Sequence, residues 1–192
     1  ITPAITAALT LNTDFAEAEI DDRRVNISRF PLFFAEKRDF FLQDATIFRF
    51  GGIQQTPLPF HSRKIGLDPN GRPIDIIGGL KVTGRTGAVN FGLLSVQVDK
   101  TAELESKNLS VGRVSLNILD ESSVGLIFTR GDPHTNGGHF LGGFDFNYKN
   151  SDFRETGRTL QGNIYLQKSI TDGEHGDDTA LSPQPLHPTS PA

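Results

Sequence analysis

Residues 74–85 read IDIIGGLKVTGR, and this stretch decides the fold class. Its even-numbered positions are apolar or glycine, whereas Lys81, Thr83 and Arg85 lie at odd-numbered positions. A period of two is that of a β-strand, because successive side chains of a strand point to opposite faces. The stretch therefore predicts a strand with one apolar face and one polar face.

The same alternation returns in the residues that follow. Apolar-polar stretches are separated by turn-forming or polar residues, which is typical of antiparallel strands joined in sequence. The sequence therefore predicts an all-β fold, an antiparallel up-and-down meander over residues 74–170. The further strands are expected at residues 88–98, 108–118, 124–129, 140–148 and 159–167, with an earlier strand at 7–12.

Composition excludes several classes of site and partner. The 192 residues include no Cys, which removes disulfides, cysteine-based zinc sites and thiol nucleophiles. There are 23 acidic and 19 basic residues and no basic stripe, so no nucleic-acid partner is expected. No apolar run approaches the roughly 20 residues of a membrane helix, but membrane-spanning strands need only about 9–11 residues each.

The two ends of the chain differ from its middle. Residues 1–73 are irregular and rich in Phe, and we expect them to form a separate N-terminal segment. Residues 171–192 contain four prolines among polar residues, and we expect a disordered tail there because proline interrupts a strand ladder. The chain contains no Met and begins at Ile1, so we expect an internal fragment of a longer protein.

Two interpretations fit the regular part of the chain. In a transmembrane β-barrel, charges in mid-strand face a water-filled lumen, aromatic residues lie near strand ends, and short and long connections alternate. A soluble antiparallel sheet can show the same pattern. The two faces distinguish the interpretations, because a barrel requires Lys81, Arg113 and Asp145 to lie opposite Phe144 and Ile164.

Five sequence motifs follow one another along the chain: VNISRF at 25–30, FFAEKRDFFL at 33–42, SRKIGL at 62–67, GGLKVTGR at 78–85 and GLLSVQ at 92–97. Together they resemble a family of Gram-negative bacterial proteins. In that family a carbohydrate-binding family-nine-like domain precedes a large outer-membrane β-barrel domain of unknown function. The similarity covers about residues 9–169, and the chain departs from the usual pattern at Ala35, Asp39 and Gln43.

The resemblance implies a location and a role. It implies a partial, truncated transmembrane β-barrel in the cell outer membrane, in contact with outer-membrane lipid. It also implies a carbohydrate-binding domain upstream of Ile1 and more strands beyond Ser169. The implied function is an anchor or pore associated with carbohydrate binding or uptake, with a carbohydrate or a small solute as partner. We expect residues 1–73 to include a plug in the lumen or over its mouth, since they mix aromatic and charged residues.

Four basic residues are the candidate binding residues: Lys37, Arg38, Arg63 and Lys64. Beside Phe40, Phe41 and Phe60 they could bind a sugar or an anionic solute, because ligand sites combine aromatic surfaces with a few polar groups. The alternative is an internal ion-pair network with Glu36, Asp39 and Asp44 that attaches a plug to the barrel.

The other sequence motifs give weaker indications of a functional site. Residues 79–86 come within one residue of a phosphate-binding loop, but Arg85 replaces the required Lys and no helix follows. The acidic residues between Asp14 and Asp22 are expected to be a solvated surface, and His134 and His139 part of a polar loop. We therefore expect no catalytic residue, no metal and no cofactor. The alternative function is a soluble secreted all-β module that binds or hydrolyses polysaccharide.

Overall fold

The computed structural model describes residues 4–13, 36–53, 57–68, 72–153, 158–172 and 178–189. These residues form strands with one short helix, α1 (Asp39–Leu42), and 3₁₀ turns at Ala45–Phe48 and Ser62–Lys64. None of the helices described is long and apolar enough to cross a membrane. The strands are β1 (Ala4–Thr13), β2 (Ile76–Thr86), β3 (Val89–Val98), β4 (Lys107–Ile118), β5 (Ser122–Arg130), β6 (His139–Asn150), β7 (Thr159–Thr171) and β8 (Asp178–Thr189).

All eight strands belong to one antiparallel sheet whose spatial order is the chain order, β1 to β8. This confirms the predicted all-β, up-and-down meander with an irregular N-terminal segment. Among the described residues β1 pairs only with β2 and β8 only with β7, so the sheet is not closed into a barrel. The strand predicted at residues 7–12 is present as β1.

The prediction of a disordered tail over residues 171–192 is wrong for Asp178–Thr189, which form β8. It pairs with β7 along its length, and the register shift between Gln161 and Asn163 adds one extra residue to β8. Because of that extra residue, Pro183 and Pro188 fall on the same side of the backbone, opposite Ile164 and Leu160 of β7. In an antiparallel pair alternate residues point their N–H away from the partner, and an edge strand tolerates proline there.

One face of the sheet is uncovered by the described residues and carries an apolar band; we call it the open face, and its polar residues Ser95, Asn108 and Ser110 lie toward the end with long connections. A single row of paired residues crosses all eight strands on this face without a polar or charged side chain. Most members of the row are exposed, including Leu126 at 61% and Phe144 at 45%. The row consists of Ile5, Gly84, Phe91, Val114, Leu126, Phe144, Leu166 and Leu181.

The opposite face, which we call the covered face, carries buried polar residues. Lys81, Arg113 and Asp145 all lie on it, and each is followed or preceded by an exposed apolar residue of the open face. Asp145, for example, has 0% exposure, whereas its neighbour Phe144 faces outward. The three charged residues therefore lie opposite Phe144 and Ile164, as the barrel interpretation requires.

The covered face packs against the N-terminal segment. Thr13 and Ile76 are register partners, so the chain leaves β1 and enters β2 at the same end of the sheet. Between them, residues 36–53 and 57–68, which we call the cover, pack on the covered face. The hydrophobic core lies at this contact and unites Phe41, Phe48, Phe50 and Ile65 of the cover with Leu94, Val96, Val111, Ile127 and Tyr165 of the sheet.

A glycine of β6 makes room for the cover. A Cβ atom added at Gly143 would lie 2.7 Å from Cζ of Phe50 and 3.2 Å from Cγ2 of Ile127. Phe50 is almost completely buried, so its ring cannot move aside freely. We expect G143A to lower the free energy of unfolding by about 1–3 kcal/mol, the usual effect of overpacking a core. Urea unfolding followed by circular dichroism measures the change.

The adjacent residue supplies a matched control. Gly142 lies on the open face, and the nearest atom to an added Cβ there is Cε1 of Phe140 at 3.8 Å, an ordinary contact. We expect G142A to be neutral or slightly stabilising, because alanine reduces the conformational freedom of the unfolded chain. Equal losses in G142A and G143A would show that Phe50 does not pack on β6 as described.

Candidate functional site

A buried ion pair between β4 and β6 is the centre of the polar contacts on the covered face. Arg113 and Asp145 approach at 2.6 Å between Nη1 and Oδ1, and Arg113 Nη2 donates to Asp145 Oδ2 at 3.0 Å. Both side chains are buried, with residue exposures of 4% and 0%. A charge withdrawn from water to this degree is stable only when its partner is held in place.

The cover contributes directly to this ion pair. The backbone N–H of Gly51 donates to Asp145 Oδ2 at 2.9 Å, and Asn147 Nδ2 donates to the same oxygen at 2.7 Å. The guanidinium of Arg113 lies 5.5 Å from the centre of the Phe50 ring. Two strands and the cover thus meet at one carboxylate, which fixes the position of the cover on the sheet.

A second attachment involves Lys81 of β2 and the end of α1. The Lys81 ammonium donates to the backbone oxygens of Phe40 and Gln43, the latter at 2.7 Å. The last carbonyl groups of a helix have no partner within it, and a cation satisfies them well. Lys81 therefore serves as a cap that the sheet provides for a helix of the cover.

Asp44 extends this attachment along β2. Its carboxylate accepts from the Thr83 hydroxyl at 2.8 Å and from Arg85 Nη1 at 3.0 Å. The hydrogen bond from Thr83 is the main cause that holds the pKa of Asp44 below its ordinary value, with Arg85 acting in the same direction. Asp44 thus joins the cover to the sheet through Thr83 and Arg85 of β2, which are not members of the predicted basic cluster.

The four predicted binding residues divide into two pairs. Arg38 and Arg63 are buried, whereas Lys37 and Lys64 are exposed, so they do not present one common surface. Arg38 is engaged within the cover: it pairs with Glu36 at 2.7 Å, donates to the backbone oxygens of Ile65 and Ser62, and lies 4.2 Å from the Phe41 ring. Ligand binding by these four residues remains a prediction.

Glu36 illustrates the strength of the Arg38 contact. Burial by itself would raise the pKa of Glu36, but hydrogen bonding and charge attraction from Arg38, with a hydrogen bond from Ser62, outweigh burial and lower the pKa. Arg38 also donates from Nη2 to the second Glu36 oxygen at 2.8 Å. The lowered pKa keeps Glu36 ionised beside Arg38, and Arg38 joins the two parts of the cover through Ser62 and Ile65.

The histidines of the predicted polar loop have structural partners. His139 Nδ1 lies 3.0 Å from the Thr171 hydroxyl, and the backbone N–H of His134 donates to Asp132 at 2.8 Å. Within the described parts of the chain, no three His, Asp or Glu side chains are grouped closely enough to hold a metal ion. The acidic residues between Asp14 and Asp22 lie outside the described residues.

Cavities lie between the cover and the sheet at both ends of the sheet. One, of about 480 Å³, lies where the connections are long and includes Lys64, His61, His139 and Gln167 in its lining. The other, of about 360 Å³, lies where the connections are short. Its lining consists of Thr46, Ile47, Arg49, Phe50, Gly51, Gly52, Arg85, Asn90, Arg113, Ser115, Ser123 and Asn147.

The sequence did not indicate the second cavity as a site. The alternation of polar residues along β2, β4 and β6 is evident in the sequence. Arg49, however, lies in the irregular segment, and its position beside those strands depends on how the cover folds. Only the cross-strand register brings Asn90 opposite Ser115 and Ser123 opposite Asn147. Polar residues that lie on the covered face and are paired across neighbouring strands are the feature that indicates this cavity.

Comparison with known proteins bears on the N-terminal part of the chain. Residues 1–91 match a family model described as a domain of unknown function, DUF5916. The match extends from β1 through the cover to the start of β3. It agrees with the coarser part of the resemblance, a domain of unknown function, and carries no activity. No curated protein and no solved structure matches the chain.

Proposed function

We propose that this chain is part of the wall of an outer-membrane β-barrel, with the cover as its internal plug. The proposed role is an anchor or pore associated with carbohydrate binding or uptake, without catalysis in this region. The observation that carries the proposal is the apolar row on the open face, which crosses all eight strands from Ile5 to Leu181. The association with carbohydrate derives from the family resemblance alone.

The distribution of polarity supports lipid contact. Leaving apolar area in water costs about 25 cal/mol per Å², and soluble monomers rarely expose apolar patches beyond a few hundred Å². Here Leu93, Val114, Leu126, Phe144 and Leu166 are all more than two-fifths exposed, while Arg113 of β4 and Asp145 of β6 are buried on the other side. Lipid tails would contact these exposed apolar side chains, whereas the cover already packs on the buried charged ones.

The dimensions and the margins of the open face agree with this proposal. The strands contain 9 to 13 residues, and a tilted strand needs about 9–11 to cross the hydrocarbon layer. The charged residues Arg130 and Lys168 lie toward the end with long connections, as do Phe128 and Phe140. Aromatic and basic residues at the margin of an apolar band are typical of membrane interfaces.

The absence of Trp from the chain permits a direct test. In F144W the added indole replaces a ring of the open face, whereas in L119W it lies in the turn between β4 and β5. The full chain is folded into phosphatidylcholine vesicles whose acyl chains are brominated near the bilayer centre. We expect strong quenching of F144W fluorescence and weak quenching of L119W fluorescence.

The alternative function predicts another result. A soluble polysaccharide-binding module would remain folded in buffer without vesicles, and neither variant would be quenched when lipid is added. A folded, monomeric chain in buffer with an unquenched F144W would therefore contradict the membrane proposal. Equal quenching in the two variants would contradict the assignment of the open face to lipid.

A further inference from the structure

We propose that the cavity of about 360 Å³ between the cover and the short-connection end of the sheet binds a small oxyanion, through a carboxylate or a phosphate group. The site uses Arg49 from the cover together with Arg113, Ser115 and Ser123 from β4 and β5. The proposal does not require membrane insertion, because the cavity is formed entirely between the cover and the covered face.

The charge of the lining is the first argument. Among the described residues, three arginines line the cavity, Arg49, Arg85 and Arg113, and no Asp or Glu does. The carboxylates that neutralise two of them, Asp44 and Asp145, bind from outside the lining. The side chain of Arg49 has neither an ion pair nor a hydrogen bond to any residue in the described ranges. Within the described ranges, Arg49 is therefore a positive charge of the lining without a counter-ion.

An unsatisfied buried donor is the second argument. Both terminal nitrogens of Arg113 are directed to Asp145, and its Nε has no hydrogen-bond partner within the described residues. Arg113 is 4% exposed and lines the cavity. A buried donor without an acceptor is unfavourable, and native structures normally satisfy such a group. Nε itself is buried, so an acceptor that enters the lining beside Arg113 would satisfy it.

The remaining polar groups indicate what else the ligand carries. Asn90 and Asn147 use their amide nitrogens for Asn117 and Asp145, so their amide oxygens remain to accept from a ligand hydroxyl. Ser115 and Ser123 can donate or accept. A cavity of about 360 Å³ lies at the lower end of the range for small-molecule sites. A single acidic sugar, or phosphate, matches these groups and this volume.

The binding test uses the full chain folded in detergent micelles and isothermal titration calorimetry. Three probes are titrated separately: inorganic phosphate, glucuronate and uncharged glucose. We expect phosphate or glucuronate to bind and glucose not to bind under the same conditions. Binding of phosphate alone would identify a phosphate site, and binding of glucuronate alone an acidic-sugar site. Binding of neither anion, or of glucose as tightly as the anions, would overturn the proposal.

The variants locate the site without disturbing the buried ion pair. R49Q removes the unpaired charge from an exposed position of the cover, and we expect it to weaken anion binding at least tenfold. S123D places a carboxylate in the cavity and should abolish anion binding. R72Q is the matched control, because Arg72 is exposed and does not line this cavity. Equal weakening in R49Q and R72Q would overturn the proposal, provided that circular dichroism shows each variant to be folded.

Discussion

Replacing Asp145 with Asn should lower the free energy of unfolding by about 3–5 kcal/mol. D145N keeps the size of the side chain but leaves the guanidinium of Arg113 buried at 4% exposure without a counter-charge. It also weakens the acceptor for the Gly51 N–H, through which the cover is attached. Urea titration in detergent, followed by far-ultraviolet circular dichroism, measures the change.

Two further variants separate the charge effect from simple loss of a contact. The double variant R113M/D145L removes both charges, and we expect it to recover most of the stability, because no unpaired charge then remains in the core. D120N is the matched control, since Asp120 is exposed in the turn before β5, and we expect a change within about 0.5 kcal/mol. A loss in D145N no larger than in D120N would contradict the structural role of the ion pair.

The strands were predictable because their signal is local. Alternation places Lys81 and Leu80 on opposite faces whatever the neighbouring strand is, and this property does not depend on distant residues. The same holds for Arg113 and Val114 of β4. The faces assigned from sequence therefore agree with the exposures in the folded chain, where Lys81 and Arg113 are buried and Leu80 and Val114 are exposed.

The contacts of the cover were not predictable, because they join residues far apart in sequence. Asp145 binds the N–H of Gly51, and Gln167 donates to the backbone oxygen of Pro57. Neither contact has a local pattern. The role of Arg38 could not be assigned either, since its partners at Ser62 and Ile65 depend on the fold of the cover. Sequence indicated which residues were charged but not which of them would meet.

The strand β8 was missed for a different reason. Proline lowers the expectation of a strand at any position, and the rule holds for strands with a neighbour on each side. β8 lies at the edge, and the register shift brings Pro183 and Pro188 to the same side of its backbone. Whether proline is tolerated depends on the position of the strand in the sheet. The composition of residues 171–192 carries no information on that position.

The largest effect outside the buried ion pair is expected from a charge on the open face. Leu126 lies in the middle of β5 and of the apolar row, and its side chain is 61% exposed. Because we propose that this face contacts lipid, L126R places a guanidinium in the hydrocarbon layer. We expect a loss of about 2–4 kcal/mol in the free energy of folding into phospholipid vesicles, measured by urea titration.

The control for this variant is L119R. Leu119 is an even more exposed leucine, at 74%, but it lies in the turn between β4 and β5, outside the apolar row. The membrane proposal predicts little change there, since an arginine near the interface reaches the headgroups or water. A soluble module predicts that both substitutions change stability by less than about 0.5 kcal/mol, because each replaces an exposed leucine in water. A small, equal effect of L126R and L119R would therefore contradict the proposed contact between the open face and lipid.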